Sequence, residues 1–168
     1  KYIFLANSHP AIQLDLLRQF PDHRLAVADT MDLWINIAHD ELLELMQHVD
    51  GIVINDAEAM QLTEIANPVS AGRKLLEHGL TFAIIKKGEH GAVIVHEDGI
   101  AALPAFPADV NQVVDPTGAG DSFAGGLMGF LNAHDRTDLD AIKMAIGWGT
   151  VMASFCVERF SYENLQDI

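Results

Sequence analysis

The sequence predicts an α/β fold, a mainly parallel sheet with helices on both faces that ends in an antiparallel hairpin. Two patterns carry that expectation. Short apolar runs alternate with segments of helical periodicity through the first half of the chain, the order that gives parallel strands joined by crossover helices. Later, two apolar runs are separated by Asp98-Gly99, a hairpin signal. Composition agrees, because 49% of the 168 residues are hydrophobic, enough to bury a sizeable core.

The elements follow in order. YIFLAN (residues 2–7) reads as a buried strand and RLAVAD (24–29) as a second. Between them, PAIQLDLLRQF has apolar residues at helical spacing, with Pro10 in the first turn, where its missing N–H costs nothing. HDELLELMQHV (39–49) is an amphipathic helix, GIVIN (51–55) a third strand and DAEAMQLT (56–63) a short helix. PVSAGRKLLEHG starts a helix at Pro68 and stops it at Gly79. TFAIIKKG, GAVIVHEDG and a short IAALPA are three more strands. Residues 104–120 form a loop, a helix runs from about Gly120 to Leu131, and DLDAIKMAIGWGTVMASFC is a long final helix. Trp148 within it reads as core rather than as a stacking platform. No internal repeat, low-complexity tract or linker interrupts the pattern, so residues 1–168 read as one α/β domain.

The formal net charge of −14 works against a broad nucleic-acid or anionic-membrane surface. Any phosphate must then be bound locally, by backbone N–H groups, a few Lys or Arg, and a metal. No apolar run approaches the roughly 20 residues of a membrane span. The opening KYIFLAN reads as a strand with no small-residue cleavage site behind it. Cys156 is the lone cysteine and cannot form an internal disulfide, which makes a reducing, cytoplasmic setting the expectation. The eight His residues are scattered without zinc-site spacing. Lys1 stands almost inside a strand, an abrupt start that leads us to expect a piece of a longer protein.

Ligands of such sheets sit beyond the carboxyl ends of the strands. The loops after Asn55, after Lys87 and before Gly118 are therefore the candidate sites. The third is the most distinctive. Residues 113–131 read VVDPTGAGDSFAGGLMGFL, two Asp residues flanking a Thr-Gly-Ala-Gly turn that enters a glycine-studded helix. A helix start offers unpaired N–H groups and the positive end of the dipole. Gly118 and Gly120 let an anion approach the backbone closely. Asp121 would repel that anion, so its presence makes sense if it accepts a proton from a hydroxyl attacking phosphorus. The plainer alternative is a helix-start carboxylate favoured by the dipole, with about 0.3–1 kcal/mol at stake. Gly125, Gly126 and Gly129 signal tight helix packing under either reading.

DPTGAGDSFAGGL resembles the C-terminal signature of the ribokinase-like (PfkB) carbohydrate kinase family. The resemblance implies a ribokinase-like, Rossmann-type three-layer α/β/α fold. It assigns Gly118, Ala119 and Gly120 to the anion hole of the transferred phosphate and makes Asp121 the catalytic base. Asp115 and Thr117 match positions that help form a monovalent-cation (K⁺) site in many members, although both also suit a turn. In GIVINDAEAMQL, Asn55 and Glu58 match an Asn-x-x-Glu motif that orients Mg²⁺-bound water and phosphate. The same spacing is a capping box, and the two readings are compatible. In AIIKKGEHGAVI, Gly88 and Gly91 match a loop that lies against ATP, with Lys87 or Lys86 supplying charge. Gly147 falls in the nucleotide pocket, and Ile146 stands where the family often has Asn, which leaves an apolar slot.

The resemblance covers residues 2–157, but members are nearly twice as long. Their N-terminal half, with the sugar contacts and a β-sheet lid, has no counterpart here. Strand edges left unpaired by that absence make a homodimer the expectation. The leading function is ATP- and Mg²⁺-dependent phosphoryl transfer to a hydroxymethyl group of a sugar or nucleoside. The alternative is a non-catalytic nucleotide-binding or assembly fragment. A dinucleotide-binding dehydrogenase is set aside, because SHPAIQ after the first strand has no glycine.

Overall fold

The computed structural model of the chain describes residues 1–106 and 113–158; residues 107–112 of the expected loop lie outside the described residues. The elements run β1 (Tyr2–Leu5), α1 (Pro10–Leu17), β2 (Leu25–Asp29), α2 (Asp32–Ile37), α3 (His39–Met46), β3 (Gly51–Asn55), α4 (Asp56–Thr63), α5 (Pro68–Leu76), β4 (Phe82–Lys86), β5 (Ala92–His96), β6 (Gly99–Leu103), α6 (Ala119–His134) and α7 (Leu139–Val157). They divide into two compact units, residues 1–88 with 92–102, and residues 89–91 with the described residues from 103 onward.

The first unit carries the six-stranded sheet, in the order β1-β2-β3-β4-β5-β6. The first four strands are parallel and β5 runs antiparallel to β4. Only two residues separate β5 from β6, a connection too short for a parallel crossover. Alternate strand residues Leu5, Ala26, Ala28, Ile52, Ile54, Ala83 and Ile85 form one core with Leu14, Ile35, Leu42, Leu45, Ala59, Ala71 and Leu75 from α1 to α5. The intervening residues Val27, Val53 and Ile84 are buried as well. Burial on both faces explains why these strands read as continuous apolar runs.

Two glycines in this unit have packing reasons. Gly51 pairs with Phe82, and a Cβ on Gly51 would meet the Phe82 ring. Gly72 of α5 lies against Val95, whose Cβ would be 2.8 Å from an added methyl. The helix α2 is a departure from the sequence expectation. It has six residues, its N-cap Met31 makes no side-chain cap, and its DLWINI is rich in residues of modest helix propensity. Tertiary contact sustains it: Gln61 of α4 donates to Asn36 at 2.9 Å.

The second unit is built on the pair α6 and α7. A four-residue link joins them, and Asp138 within it caps α7 by accepting from Ala141 N–H. Arg136 donates to both oxygens of Asp138 and holds its carboxyl down to about 2. The sequence expectation that three α6 glycines serve close packing is corrected here. A Cβ on Gly126 would come within 2.8 Å of the Trp148 carbonyl oxygen, and one on Gly149 within 2.8 Å of the Phe123 carbonyl oxygen. Gly125 and Gly129 face open space. Trp148 is also not core; it is 56% exposed. Helix α7 buries Ile142, Ala145, Ile146 and Gly149 on one stripe, which leaves Met144 and Trp148 on the other side.

Those contacts set opposite signs for similar substitutions. Gly126→Ala should lower stability by about 1–3 kcal/mol through overpacking against α7 backbone. Gly125→Ala and Gly129→Ala should each raise it by up to about 1 kcal/mol through helix propensity. Denaturation midpoints of the three variants against the parent check both signs.

Candidate active site

The carboxyl ends of the parallel strands carry the polar residues of the first unit. Asn55 ends β3 and caps α4. Its Oδ1 accepts from Glu58 N–H at 2.8 Å, and Glu58 Oε2 accepts from Asn55 N–H at 2.8 Å. The capping box read from the sequence is therefore formed. Lys86, the last residue of β4, is the direct neighbour of Asn55 across the β3–β4 ladder. Lys87 follows, outside the strand.

Glu58 is the electrostatic centre of this group. Burial raises its carboxyl above the usual carboxylate range, against the pull of the Asn55 hydrogen bonds and the Lys86 charge; the Asp32 charge adds to the rise. Asp32, at the first position of α2, is a residue that sequence reasoning passed over, because the helix it begins was not seen. Asp29 is another. It ends β2 on the sheet face shared by Val53 and Asn55, it is buried, and its Oδ1 accepts from Thr30 N–H at 2.8 Å. An Asp closing the apolar run LAVAD was the available signal. Among the described residues no three His, Cys, Asp or Glu side chains gather as a protein-only metal cage. Mg²⁺ does not require one, since it keeps waters and substrate oxygens in its shell. Asn55 and Glu58 fit that mode.

The two glycines after β4 differ. Gly88 has φ of +55° and nothing within 4 Å of an added Cβ, so its backbone stands open. Gly91, at φ +83°, is closed over by the chain itself, with Pro104 C and Ala105 N 2.7 Å from where a Cβ would be.

In the second unit the turn before α6 is shaped by its own backbone. Asp115 Oδ1 accepts from Thr117 N–H at 2.9 Å, and that bond holds the Asp115 carboxyl below the usual range. Ala119 N–H donates to Pro116 O at 3.2 Å. Gly118 is the N-cap of α6 in the left-handed region, φ +82°, a conformation that favours glycine. The first intrahelical bond is Ser122 N–H to Gly118 O at 2.9 Å. Among the described residues, Gly120 and Asp121 N–H find no backbone acceptor. No side chain caps α6, whereas His9, Asn55, Asn67 and Asp138 cap α1, α4, α5 and α7. Asp121 is exposed in this uncapped first turn. In α7, Ile146 is fully buried, while Gly147 is half-buried with open space above it.

Residues 24–164 match the sequence profile of the pfkB family carbohydrate kinases. The chain belongs to that family and is a kinase-type sequence with a ribokinase-like α/β fold. It is 36% identical over 139 residues to a cytidine kinase of Thermococcus kodakarensis, covering 81% of this chain and 48% of that one. It is 27% identical over 157 residues to a nucleoside kinase of Methanocaldococcus jannaschii, covering 93% and 48%. The chain thus spans about half the length of these relatives. Among solved structures, aminoimidazole riboside kinase from Salmonella enterica, complexed with aminoimidazole riboside and an ATP analogue, superposes with a TM-score of 0.78 at 24% identity, covering 95% of this chain and 57% of that one. No helix among the described residues is long and apolar enough to cross a membrane.

The capping box and the raised Glu58 carboxyl give a pH-dependent prediction. The folded chain keeps the Glu58 proton to a higher pH than the unfolded chain, whose reference value is 4.5. Between that value and the raised one the folded state binds more protons, so stability falls as pH rises through the window. Glu58→Gln keeps an acceptor for Asn55 N–H and cannot ionise. Its stability relative to the parent should therefore climb as pH rises above 4.5, read from urea denaturation across a pH series. Asn55→Ala should cost about 1 kcal/mol through the lost cap.

Proposed function

We propose that this chain carries the phosphoryl-transfer machinery of an ATP-dependent kinase whose acceptor is a hydroxymethyl group of a sugar or nucleoside. The observation that carries the reading is the start of α6: a left-handed glycine N-cap, no side-chain cap, and an exposed carboxylate in the first turn. The N–H groups of Gly118, Gly120 and Asp121 are the donors for a phosphate oxygen, and Ala119 shapes the turn by bonding Pro116 O. Asp121 accepts the proton of the acceptor hydroxyl. The hydroxyl oxygen bonds to the γ-phosphorus, the bond from that phosphorus to the bridging oxygen breaks, and ADP leaves with the electron pair.

The other residues serve binding. Asn55 and Glu58 would hold Mg²⁺ through water, and the metal would neutralise charge on the β- and γ-phosphate oxygens. Gly88 offers open backbone to ATP, Lys86 and Lys87 offer charge, and Gly147 leaves room on α7 for the base. Asp115 and Thr117 offer a carboxylate and a carbonyl oxygen to a monovalent cation. Gly91, already closed over by residues 104 and 105, keeps a structural part. The cytidine kinase and nucleoside kinase among the relatives support a nucleoside acceptor, and the ribokinases among them support a free sugar.

ADP release with Mg-ATP, across a panel of sugars and nucleosides, tests the reading. Acceptor-dependent release is expected, with a nucleoside among the best acceptors. Asp121→Asn should lower the transfer rate by about 10²–10⁴-fold and leave ATP binding largely intact. An active Asn variant removes Asp121 from the role of base. ATP binding with no transfer to any acceptor favours a non-catalytic nucleotide-binding chain.

A further inference from the structure

The residues that lead into α6 lean on the last turn of α7. Val114 N–H donates to Val157 O at 2.8 Å and Asp115 N–H to the same oxygen at 3.3 Å. The Cys156 thiol donates to the Thr117 carbonyl oxygen at 3.5 Å. A Cβ on Gly118 would lie 3.5 Å from the same sulfur. The buried thiol therefore fills the space behind the N-cap residue.

Helix ends explain the arrangement. The last carbonyls of α7 have no intrahelical donors, and the loop supplies two N–H groups to one of them. The turn has little else to fix it. Gly118 carries no side chain, α6 has no side-chain cap, and among the described residues the bonds within the turn are Asp115 to Thr117 and Ala119 to Pro116. Sulfur is also the right size for the gap. A serine hydroxyl bonds at about 2.7–2.8 Å, so at this spacing it would sit short of Thr117.

We propose that the last turn of α7 is the brace that fixes the pose of the α6 turn, and that Cys156 is a positioning residue for phosphoryl transfer. The proposal rests on the reading of the α6 turn as the phosphate site. Misplacing such donors by about 1 Å can cost on the order of 10²-fold in rate. The thiol touches no reacting atom and acts through Thr117 and Gly118.

The test compares Cys156→Ala and Cys156→Ser with the parent. Amide hydrogen exchange is read at Val114, Ala119 and Ser122, whose N–H groups donate to the Val157, Pro116 and Gly118 carbonyl oxygens, with no nucleotide present, and kcat and KM for ATP are measured alongside. The alanine variant should exchange about tenfold faster or more at those amides, with β3 unchanged, because the opening is local. The serine variant should fall between it and the parent, and kcat should drop more than KM rises. Exchange and kcat within about twofold of the parent would overturn the brace, since a local opening must show at these amides. Protection lost equally in β3 and β4 would also overturn it, by making Cys156 a residue of general stability. Faster exchange at the turn of the alanine variant, with a parent that transfers no phosphate, would keep the brace and remove the kinase reading.

Discussion

A strand buried on both faces can place a polar side chain without a desolvation cost only where it leaves the sheet. That constraint organises the first unit. β3 and β4 are apolar along their length and end in the half-buried Asn55 and Lys86, while Asp29, which ends β2, stays buried and accepts from Thr30 N–H. The parallel register brings Asn55 and Lys86 side by side. The helix that must follow β3 then takes Asn55 as its cap and folds Glu58 back onto it. The charges that define the candidate site thus follow from how the core is filled.

The second unit obeys a different constraint, the pairing of helix ends. Close contact between α6 and α7 depends on Gly126 and Gly149, one on each helix: Gly126 lies against the Trp148 carbonyl and the Met152 side chain, and Gly149 against the Phe123 carbonyl and ring. At one end of the pair the entry loop of α6 satisfies a carbonyl at the close of α7. The start of α6 is left without a side-chain cap, as are α2 and α3, while α5 before it and α7 after it each have one. The residues that tie the start of α6 to the end of α7 are thus the same few on which the proposed phosphate site rests.

Much of this was legible in the sequence. The strands were visible because Val, Ile, Leu and Phe fill them without polar interruption, and the helix starts because Pro10, Asn55, Pro68 and Asp138 mark them. The Thr-Gly-Ala-Gly-Asp turn was visible because its conformation demands glycine at position 118. What was hidden depends on three-dimensional phase. Nothing local distinguishes Gly126, which meets α7, from Gly125 and Gly129, which do not. The exposure of Trp148 depends on which stripe of α7 is buried, and apolar residues lie on both sides of that helix. Helix α2 escaped notice because six residues without a cap give no periodic signal. The pairing of Lys86 with Asn55 was hidden because it depends on the β3–β4 register.

The uncapped start of α6 also has a consequence for how an anion arrives. The chain carries a net charge of −14, Asp115 and Asp121 bracket the turn, and the negative end of α7 lies against it. Long-range attraction of a polyanion to this chain is therefore absent, and diffusion is not steered towards the turn. A phosphate bound there as proposed would be captured by directed N–H bonds that act only at contact, so that shape would discriminate more than charge.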